Sequence, residues 1–268
     1  IPQRLENLSL TIESLLNQTK KPDKIFVNIP FKYKRFSETI DEKKIPIFDS
    51  NLIEVIRGYD YGPGTKLLGP IKKLEKNSLI ILVDDDHVYK NYMIEKFYYY
   101  FTKAADNAYS FFVYPVENFP VGQGADGFAI NTDYLEGIER FYNKIVNTSD
   151  DLFFNDDLWI SYFLYFIKKN KIFSLQNQLK KNSDGKSELI YEKRILSSGL
   201  IEMYGKDFIY YSGKKFYDSY KLFNENAAII FAGSTLGYEA FASGKRCISF
   251  NHQKYHYARS SCRNRHPL

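Results

Sequence analysis

Cysteine, methionine and tryptophan are scarce in this chain of 268 residues, which contains 2 Cys, 2 Met and 1 Trp. Two cysteines, Cys247 and Cys262, are too few for a disulfide-rich scaffold, and their spacing is not typical of a metal site. So few cysteines favour a reducing, cytoplasmic location. No apolar run reaches the roughly 20 residues that a membrane-spanning helix needs, so we expect no transmembrane segment. The net charge of +5 is small and scattered, which argues against nucleic acid as a partner.

The apolar share of the chain is 44%, enough for a core, and it falls into alternating strand and helix patterns. Predicted strands cover 25–29, 52–56, 79–83 and 110–114, and predicted helices cover 5–18, 92–101 and 151–169. This alternation predicts an α/β fold with a mostly parallel sheet flanked by helices. A strand pattern at 227–232, a turn at 233–237, a helix pattern at 238–243 and a strand at 247–250 predict a separate, partial Rossmann-like βα segment.

Three consecutive aspartates, Asp84, Asp85 and Asp86, follow the apolar run 79–83 directly. A buried strand that ends in carboxylates places them at the carboxyl edge of a sheet, where ligands bind in open α/β folds. Carboxylates suit hard divalent cations, which in enzymes often also hold substrate phosphates. The alternative is an acidic turn or helix cap, but a cap does not require three carboxylates that repel one another. The pattern predicts a cation site and chemistry on a diphosphate-bearing substrate. His87 comes next, either as a metal ligand or as a polar residue at a helix start.

A second pair of carboxylates, Asp156 and Asp157, lies ahead of Trp159 at the start of an apolar helix pattern. Adjacent like charges raise the pKa of one carboxyl toward the range that suits a general base. The alternative is helix capping, since acidic side chains are favoured at a helix N-terminus. The pair therefore predicts a catalytic carboxylate or a cap.

The order of strand, D-x-D and later acidic pair before tryptophan resembles glycosyltransferases of the GT-A fold. The segment 60–66, which reads D-Y-G-P-G-T-K, is similar to a subgroup that includes viral sugar transferases. The resemblance covers about residues 1–180. It implies a metal-dependent enzyme that moves a sugar from a UDP-, GDP- or dTDP-linked donor to a glycan or other hydroxyl acceptor, in glycan or surface polysaccharide synthesis. The first strand of that fold has no counterpart ahead of residue 5, so we expect a chain trimmed at its N-terminus.

The resemblance also implies roles for single residues. Asp86 would bind Mn²⁺ or Mg²⁺ directly, and Asp84 would share the metal and lie nearer the donor ribose. Asp157 would be the general base of an inverting reaction, with Asp156 beside it. From their chemistry and position, we also expect donor contacts at Arg57, Asp60, Lys66 and Asp85. The loop of Asp126 and Gly127 resembles the acceptor-side loop of that fold, and the ring of Trp159 offers a face on which an acceptor sugar could stack. Arg57 also fits a solvated strand end, and Trp159 a core position.

The segment 227–245 resembles part of the donor-binding half of a GT-B glycosyltransferase, in which a small-residue turn at a helix N-terminus binds phosphate. We therefore expect a GT-A-like domain over 1–190 and a partial GT-B-like or Rossmann-like segment over 191–268. Two other functions stay open: a metal-dependent nucleotidyltransferase or phosphohydrolase, which would use the same aspartates, and a non-catalytic carbohydrate-binding relative.

Overall fold

The structure is a computed structural model that describes residues 2–34, 40–195, 228–231 and 246–249. The chain divides into two compact units, Ile1–Gly205 and Lys206–Leu268. The GT-A-like and GT-B-like character of the predicted domains 1–190 and 191–268 stays a prediction. Within the described ranges, no helix combines the length and the apolar composition needed to cross a membrane.

The strands of the first unit are β1 (Ile25–Pro30), β2 (Ile53–Gly58), β3 (Leu79–Leu82), β4 (His87–Tyr89), β5 (Asn107–Ser110), β6 (Val113–Val116), β7 (Phe119–Gly122), β8 (Phe128–Asn131), β9 (Lys171–Ser174) and β10 (Tyr191–Arg194). Its α-helices are α1 (Leu8–Leu16), α2 (Thr65–Leu68), α3 (Met93–Lys103), α4 (Ile138–Lys144), α5 (Asp150–Phe153) and α6 (Asp156–Tyr162). A 3₁₀ turn over Pro2–Asn7 leads into α1, another covers Gly124–Asp126, and a π-helical turn over Phe163–Ile167 follows α6.

The predicted α/β class is confirmed, but the strands of the described residues are of mixed orientation rather than mostly parallel. The central sheet has the order β3-β8-β5-β9, with β8 antiparallel to both neighbours and β9 parallel to β5. The strands β1 and β2 form a separate parallel pair. The expectation fails at β8 because this strand follows the β6–β7 hairpin after one 3₁₀ turn, whereas a parallel neighbour needs a longer crossover.

Two clusters of buried side chains form the core of the first unit. The first joins one face of α1 to β1 and α3, and includes Ile12, Val27 and Phe97. The second packs α6 against the central sheet and includes Phe128 and Trp159. The end of β3 and the start of α6 are anchored in these clusters. The aspartates 84–86 follow the end of β3, and Asp156 and Asp157 begin α6.

The predicted helix over 151–169 is divided into α5, α6 and the π-helical turn. The division occurs at Asn155, whose side-chain oxygen accepts a hydrogen bond from the backbone N–H of Leu158 at 3.3 Å. An asparagine in this position caps a new helix. The first turn of α6 therefore begins with Asp156 and Asp157, and two residues separate it from the end of α5.

The second unit contains two described strands, β11 (Ala228–Phe231) and β12 (Arg246–Ser249), which pair in parallel. Both predicted strands of this region are therefore confirmed. The predicted turn at 233–237 and helix at 238–243 lie outside the described residues.

Candidate active site

The loop between β3 and β4 carries the three aspartates and is held in place by α1 and β4. The hydroxyl of Thr11 donates to the carbonyl of Asp85 at 3.2 Å, and the backbone N–H of Tyr89 donates to the hydroxyl of Ser14 at 3.1 Å. The backbone N–H of Asp84 donates to the buried phenol oxygen of Tyr89 at 3.0 Å. Because these hydrogen bonds join α1 and β4 to the loop, the three aspartates project from a fixed backbone.

The ammonium of Lys66 connects the two acidic clusters. Its Nζ contacts Oδ1 of Asp84 and lies 3.1 Å from Oδ2 of Asp156. Burial alone would lower the pKa of this ammonium, but the surrounding carboxylates, first Asp156 and then Asp84, raise it well above its usual value. Lys66 is therefore a cation at neutral pH. We call Asp84, Asp156 and Asp157, with Lys66 between them, the carboxylate cluster.

Asp157 lies at the start of α6 and faces the turn ahead of β8. Its Oδ1 accepts a hydrogen bond from the backbone N–H of Gly124 at 2.8 Å. Burial, followed by the charge of Asp156, raises the pKa of Asp157 to about 7, against the opposing effect of Lys66. Burial also raises the pKa of Asp156, where Lys66 again opposes it. Asp157 therefore has the proton affinity of a base that works near neutral pH.

Gly124 allows this close approach. A Cβ built on it would lie 2.9 Å from Oδ1 of Asp157 and 2.9 Å from Nζ of Lys66. Both distances are shorter than real Cβ contacts, so a larger residue would force the turn or the ends of these two side chains to move. The carboxylate cluster also acts on Tyr114, which lies on β6. Burial, and then the charges of Asp157 and Asp156, raise the pKa of its phenol to about 12.

Asp85 and Asp86 face cations of their own on the other side of the loop. Nη1 of Arg4 donates to Oδ1 of Asp85 at 2.7 Å, and Nη2 of the same arginine lies 3.2 Å from Oδ2 of Asp86. Nε of Arg194, from β10, donates to that Oδ2 at 3.2 Å. Burial would raise the pKa of Asp86, but His87 and Arg4 together hold it at about 2. Asp86 is therefore an anion in a buried setting.

The donor set of the loop fits a divalent cation. Asp84, Asp86 and His87 each offer a ligand atom, and these atoms lie within 4.8 Å of one another. His87 lies in β4, so its expected place at a helix start is wrong: the alternation His-Val-Tyr forms a strand that pairs with β10. Two carboxylates and an imidazole are common ligands of divalent metals. These three residues are called the cation group below.

An open cavity of about 850 Å³ lies at the carboxyl ends of β1 and β2. Asp60 and Arg57, two of the residues predicted to contact the donor, lie beside it and are bound by other residues of the chain. Asp60 accepts from the backbone N–H of Lys34 at 2.6 Å and of Gly62 at 2.9 Å, so it organises two loops. The guanidinium of Arg57 lies 5.1 Å from the centre of the Phe31 ring and 3.2 Å from Glu42. Exposed Phe31 and Tyr59 rings line the cavity with Asp60.

Tyr33 places this cavity near the aspartate loop. Its ring lines the cavity, and burial followed by the charges of Asp85 and Asp60 raises the pKa of its phenol. The predicted donor residues Lys66 and Asp85 therefore belong to the loop side of the site, and Arg57 and Asp60 belong to the cavity side.

The predicted acceptor residues have different surroundings from one another. Burial, and then the charge of Asp84, raises the pKa of Asp126 to about 6, while His87 lowers it, so charges of the cation group act on this carboxyl. Gly127 has a φ of 88°, and a Cβ on it would lie 2.8 Å from Cε2 of Phe97. Backbone conformation and packing account for this glycine without a ligand.

Trp159 is buried, with 1% of its surface exposed. Its ring packs edge-on against Tyr142 at 5.6 Å, and a Cβ on Gly64 would lie 2.5 Å from its Cζ2. An indole enclosed in this way has no face to present to a sugar. The structure therefore supports the core position for Trp159 and not the acceptor contact.

The sequence interpretation did not include Arg4, Arg194, Tyr89 and Tyr114 in the site. A basic residue in an N-terminal helix or in a late strand carries no sequence signal for contact with Asp86, because the contact exists only in the folded chain. The alternation in 87–89 did offer a signal for β4, and with it for the position of Tyr89.

No protein-family model matches the chain, and no curated protein is similar enough to count as a relative. The functional argument therefore depends on the geometry of the site.

Proposed function

We propose that this chain is a metal-dependent glycosyltransferase that moves a sugar from a nucleotide-diphosphate donor to a hydroxyl acceptor. The observation that carries the proposal is the contact of one ammonium, that of Lys66, with Asp84 of the first acidic cluster and Asp156 of the second. The sequence resemblance gives these clusters separate roles, in donor activation and in acceptor deprotonation. Transfer requires both roles within one site.

Charge at the site supports a cation and a diphosphate as ligands. Lys66 supplies one positive charge beside three carboxyl groups, those of Asp84, Asp156 and Asp157. Burial and the crowding of these groups raise the pKa of both Asp156 and Asp157, so full ionisation of all three requires a further cation. A divalent cation held by Asp84 and Asp86 would supply that charge, and when bound it would stabilise charge on a departing nucleoside diphosphate. Asp84, once bound to that cation, would release Lys66 to contact a phosphate oxygen.

Asp157 is the residue we assign as general base. Its raised pKa, near 7, gives it both the basicity and the partial ionisation that proton abstraction from a hydroxyl requires at neutral pH. The hydrogen bond from the Gly124 N–H fixes one carboxylate oxygen, so the other is the one that would take the proton. Asp156 acts on Asp157 through its charge and contacts Lys66.

The cavity beside Tyr33 is the place we assign to the nucleoside. It lies at the carboxyl ends of the parallel strands β1 and β2, where ligands of α/β folds bind. The exposed rings of Phe31 and Tyr59 offer faces on which a base could stack. A nucleoside there and a diphosphate at Asp84 would be parts of one donor molecule.

The test is a panel of UDP-, GDP- and dTDP-sugars with Mn²⁺ or Mg²⁺, read first as thermal stability and then as product. A ligand of the native state raises the apparent melting temperature, so one nucleotide class should do so only with metal present. Mass spectrometry should then detect a sugar added to a glycan acceptor in the wild type and not in Asp157→Asn. The control variant is Asp151→Asn, an exposed acid of α5.

Other products would replace the proposal. Release of phosphate or transfer of a nucleotide without an acceptor would identify a phosphohydrolase or nucleotidyltransferase. Donor binding with no turnover on any acceptor would favour a non-catalytic carbohydrate-binding protein.

A further inference from the structure

Two polar atoms beside the carboxylate cluster are buried, close together and not hydrogen-bonded. Nδ1 of His87 lies 2.7 Å from Oδ1 of Asp86, and both side chains are almost fully enclosed, at 2% and 3% exposure. Within the part of the chain that the structure describes, neither atom has a well-aligned hydrogen bond, because the contact between the two lacks the required geometry. Buried polar atoms are normally paired, so this pair requires an explanation.

The spacing of the two atoms is the spacing of neighbouring ligands on one metal ion. Ligand atoms that lie about 2.0–2.2 Å from a cation and subtend nearly a right angle are about 3 Å apart. An oxygen and a nitrogen at 2.7 Å without hydrogen-bond alignment match that arrangement. Asp84 supplies a third ligand atom within 4.8 Å and is 33% exposed, so it gives the ion a route from solvent.

The surroundings of both residues hold these atoms in place. The guanidinium groups of Arg4 and Arg194 contact Oδ2 of Asp86, which leaves Oδ1 facing His87. The imidazole lies 4.4 Å from the Tyr191 ring, edge to face, and 5.9 Å from the Tyr89 ring. Fixed orientation of ligands by neighbouring groups is typical of metal sites.

We infer that Nδ1 of His87 is a direct ligand of the cation, and that the cation group selects a divalent transition-metal ion over Mg²⁺. Imidazole suits transition metals, whereas Mg²⁺ is bound almost wholly through oxygen. The inference deepens the proposed function, on which the role of the metal depends, but the ligation itself is measured without any sugar. The competing explanation is a protonated His87 that only neutralises Asp86.

The experiment is binding of Mn²⁺ to the full chain, with pulsed EPR to detect nitrogen directly bonded to the ion. The wild type should show nitrogen coupling, and His87→Gln should bind Mn²⁺ about 10-fold more weakly or worse and lose that coupling. The other three histidines, His252, His256 and His266, supply the control. The triple variant His252→Gln, His256→Gln, His266→Gln should keep both affinity and coupling, and it decides the question even if His87→Gln fails to fold.

A second readout is metal preference, measured by calorimetry with Mn²⁺ and Mg²⁺ separately. The wild type should bind Mn²⁺ at least about 10-fold more tightly than Mg²⁺, and His87→Gln should bring the two affinities together. Binding of Mn²⁺ without nitrogen coupling would overturn the inference and leave the transferase proposal intact. Failure of the wild type to bind either ion, with UDP present as well as without it, would overturn the inference and remove the metal from the proposed function.

Discussion

Nζ of Lys66 lies 3.1 Å from Oδ2 of Asp156, although the two residues are far apart in the chain and belong to different helices. The same Nζ contacts Asp84, so one cation compensates carboxylates of both acidic clusters. The first prediction is that Lys66→Met destabilises the fold at neutral pH. The expected loss is about 3 kcal/mol, the lower end for breaking a buried ion pair, because Asp84 is partly exposed.

Urea unfolding with Lys66→Met and with the control Lys72→Met measures this loss. Lys72 is exposed, in the short 3₁₀ turn after α2, so its variant should match the wild type. The deficit of Lys66→Met should shrink as the pH falls and the carboxylates take up protons. An equal effect of the two substitutions would show that Lys66 has no special role in the cluster.

The second prediction concerns the pH dependence of transfer. A general base must be ionised, and the pKa of Asp157 is raised to about 7 by burial and by Asp156. The rate of sugar transfer should therefore rise with pH and level off above about pH 7. Asp157→Asn should bind the donor as the wild type does but transfer sugar at least about 100-fold more slowly, with no such pH profile. Loss of donor binding in this variant would reassign Asp157 to a structural cap.

The third prediction is that Asp157→Asn stabilises the protein at alkaline pH. An aspartate whose folded pKa lies above its unfolded value contributes most at low pH, and its contribution is lost as the pH rises from about 4 through about 7. Asparagine can still accept the N–H of Gly124 and has no charge to bury. Thermal melts should therefore show a variant more stable than the wild type at about pH 8 and no such gain at about pH 4. A variant that is less stable at both pH values would show that the charged form is stabilised by its surroundings.

The sequence was a good guide to local features and a poor one to contacts between distant segments. The apolar run 79–83 correctly predicted a strand that ends in carboxylates, because burial and chain direction are encoded locally. The contact of Lys66 with Asp156 required the whole fold, and no pattern in either segment specifies it. The orientation of β8 was also missed, since a strand's direction depends on the connection that precedes it.

His87 shows how a local rule can be overridden. A polar residue after three aspartates looks like a helix start, yet the next residues alternate as a strand and pair with β10, far along the chain. Pairing with a distant strand therefore outweighed the local preference for a helix start. The outcome also brought Arg194 to Asp86, a contact that sequence reasoning had no means to find.

The fourth prediction is that Gly124→Ala impairs transfer more than it impairs folding. The added Cβ would lie 2.9 Å from both Oδ1 of Asp157 and Nζ of Lys66, so the turn or these two side-chain ends must shift. Either movement disturbs the hydrogen bond to the base. Displacement of a catalytic group by about 1 Å can cost about 100-fold in rate. The control is Glu136→Ala, at an exposed position in the loop ahead of α4. Equal rates for the two alanine variants would mean that the Gly124 contact does not position Asp157.

The fifth prediction uses Trp159, the single tryptophan of the chain, as its own reporter. The indole is 1% exposed and packs against Tyr142 and Gly64, so its fluorescence should be blue-shifted and resistant to quenching by iodide. Urea-unfolded chain is the control, because iodide should quench it fully. Acceptor sugars should leave the emission unchanged, since an enclosed ring cannot stack on them. Efficient quenching of the native protein, or a spectral change that saturates with an acceptor, would instead show that Trp159 reaches the surface and contacts the acceptor.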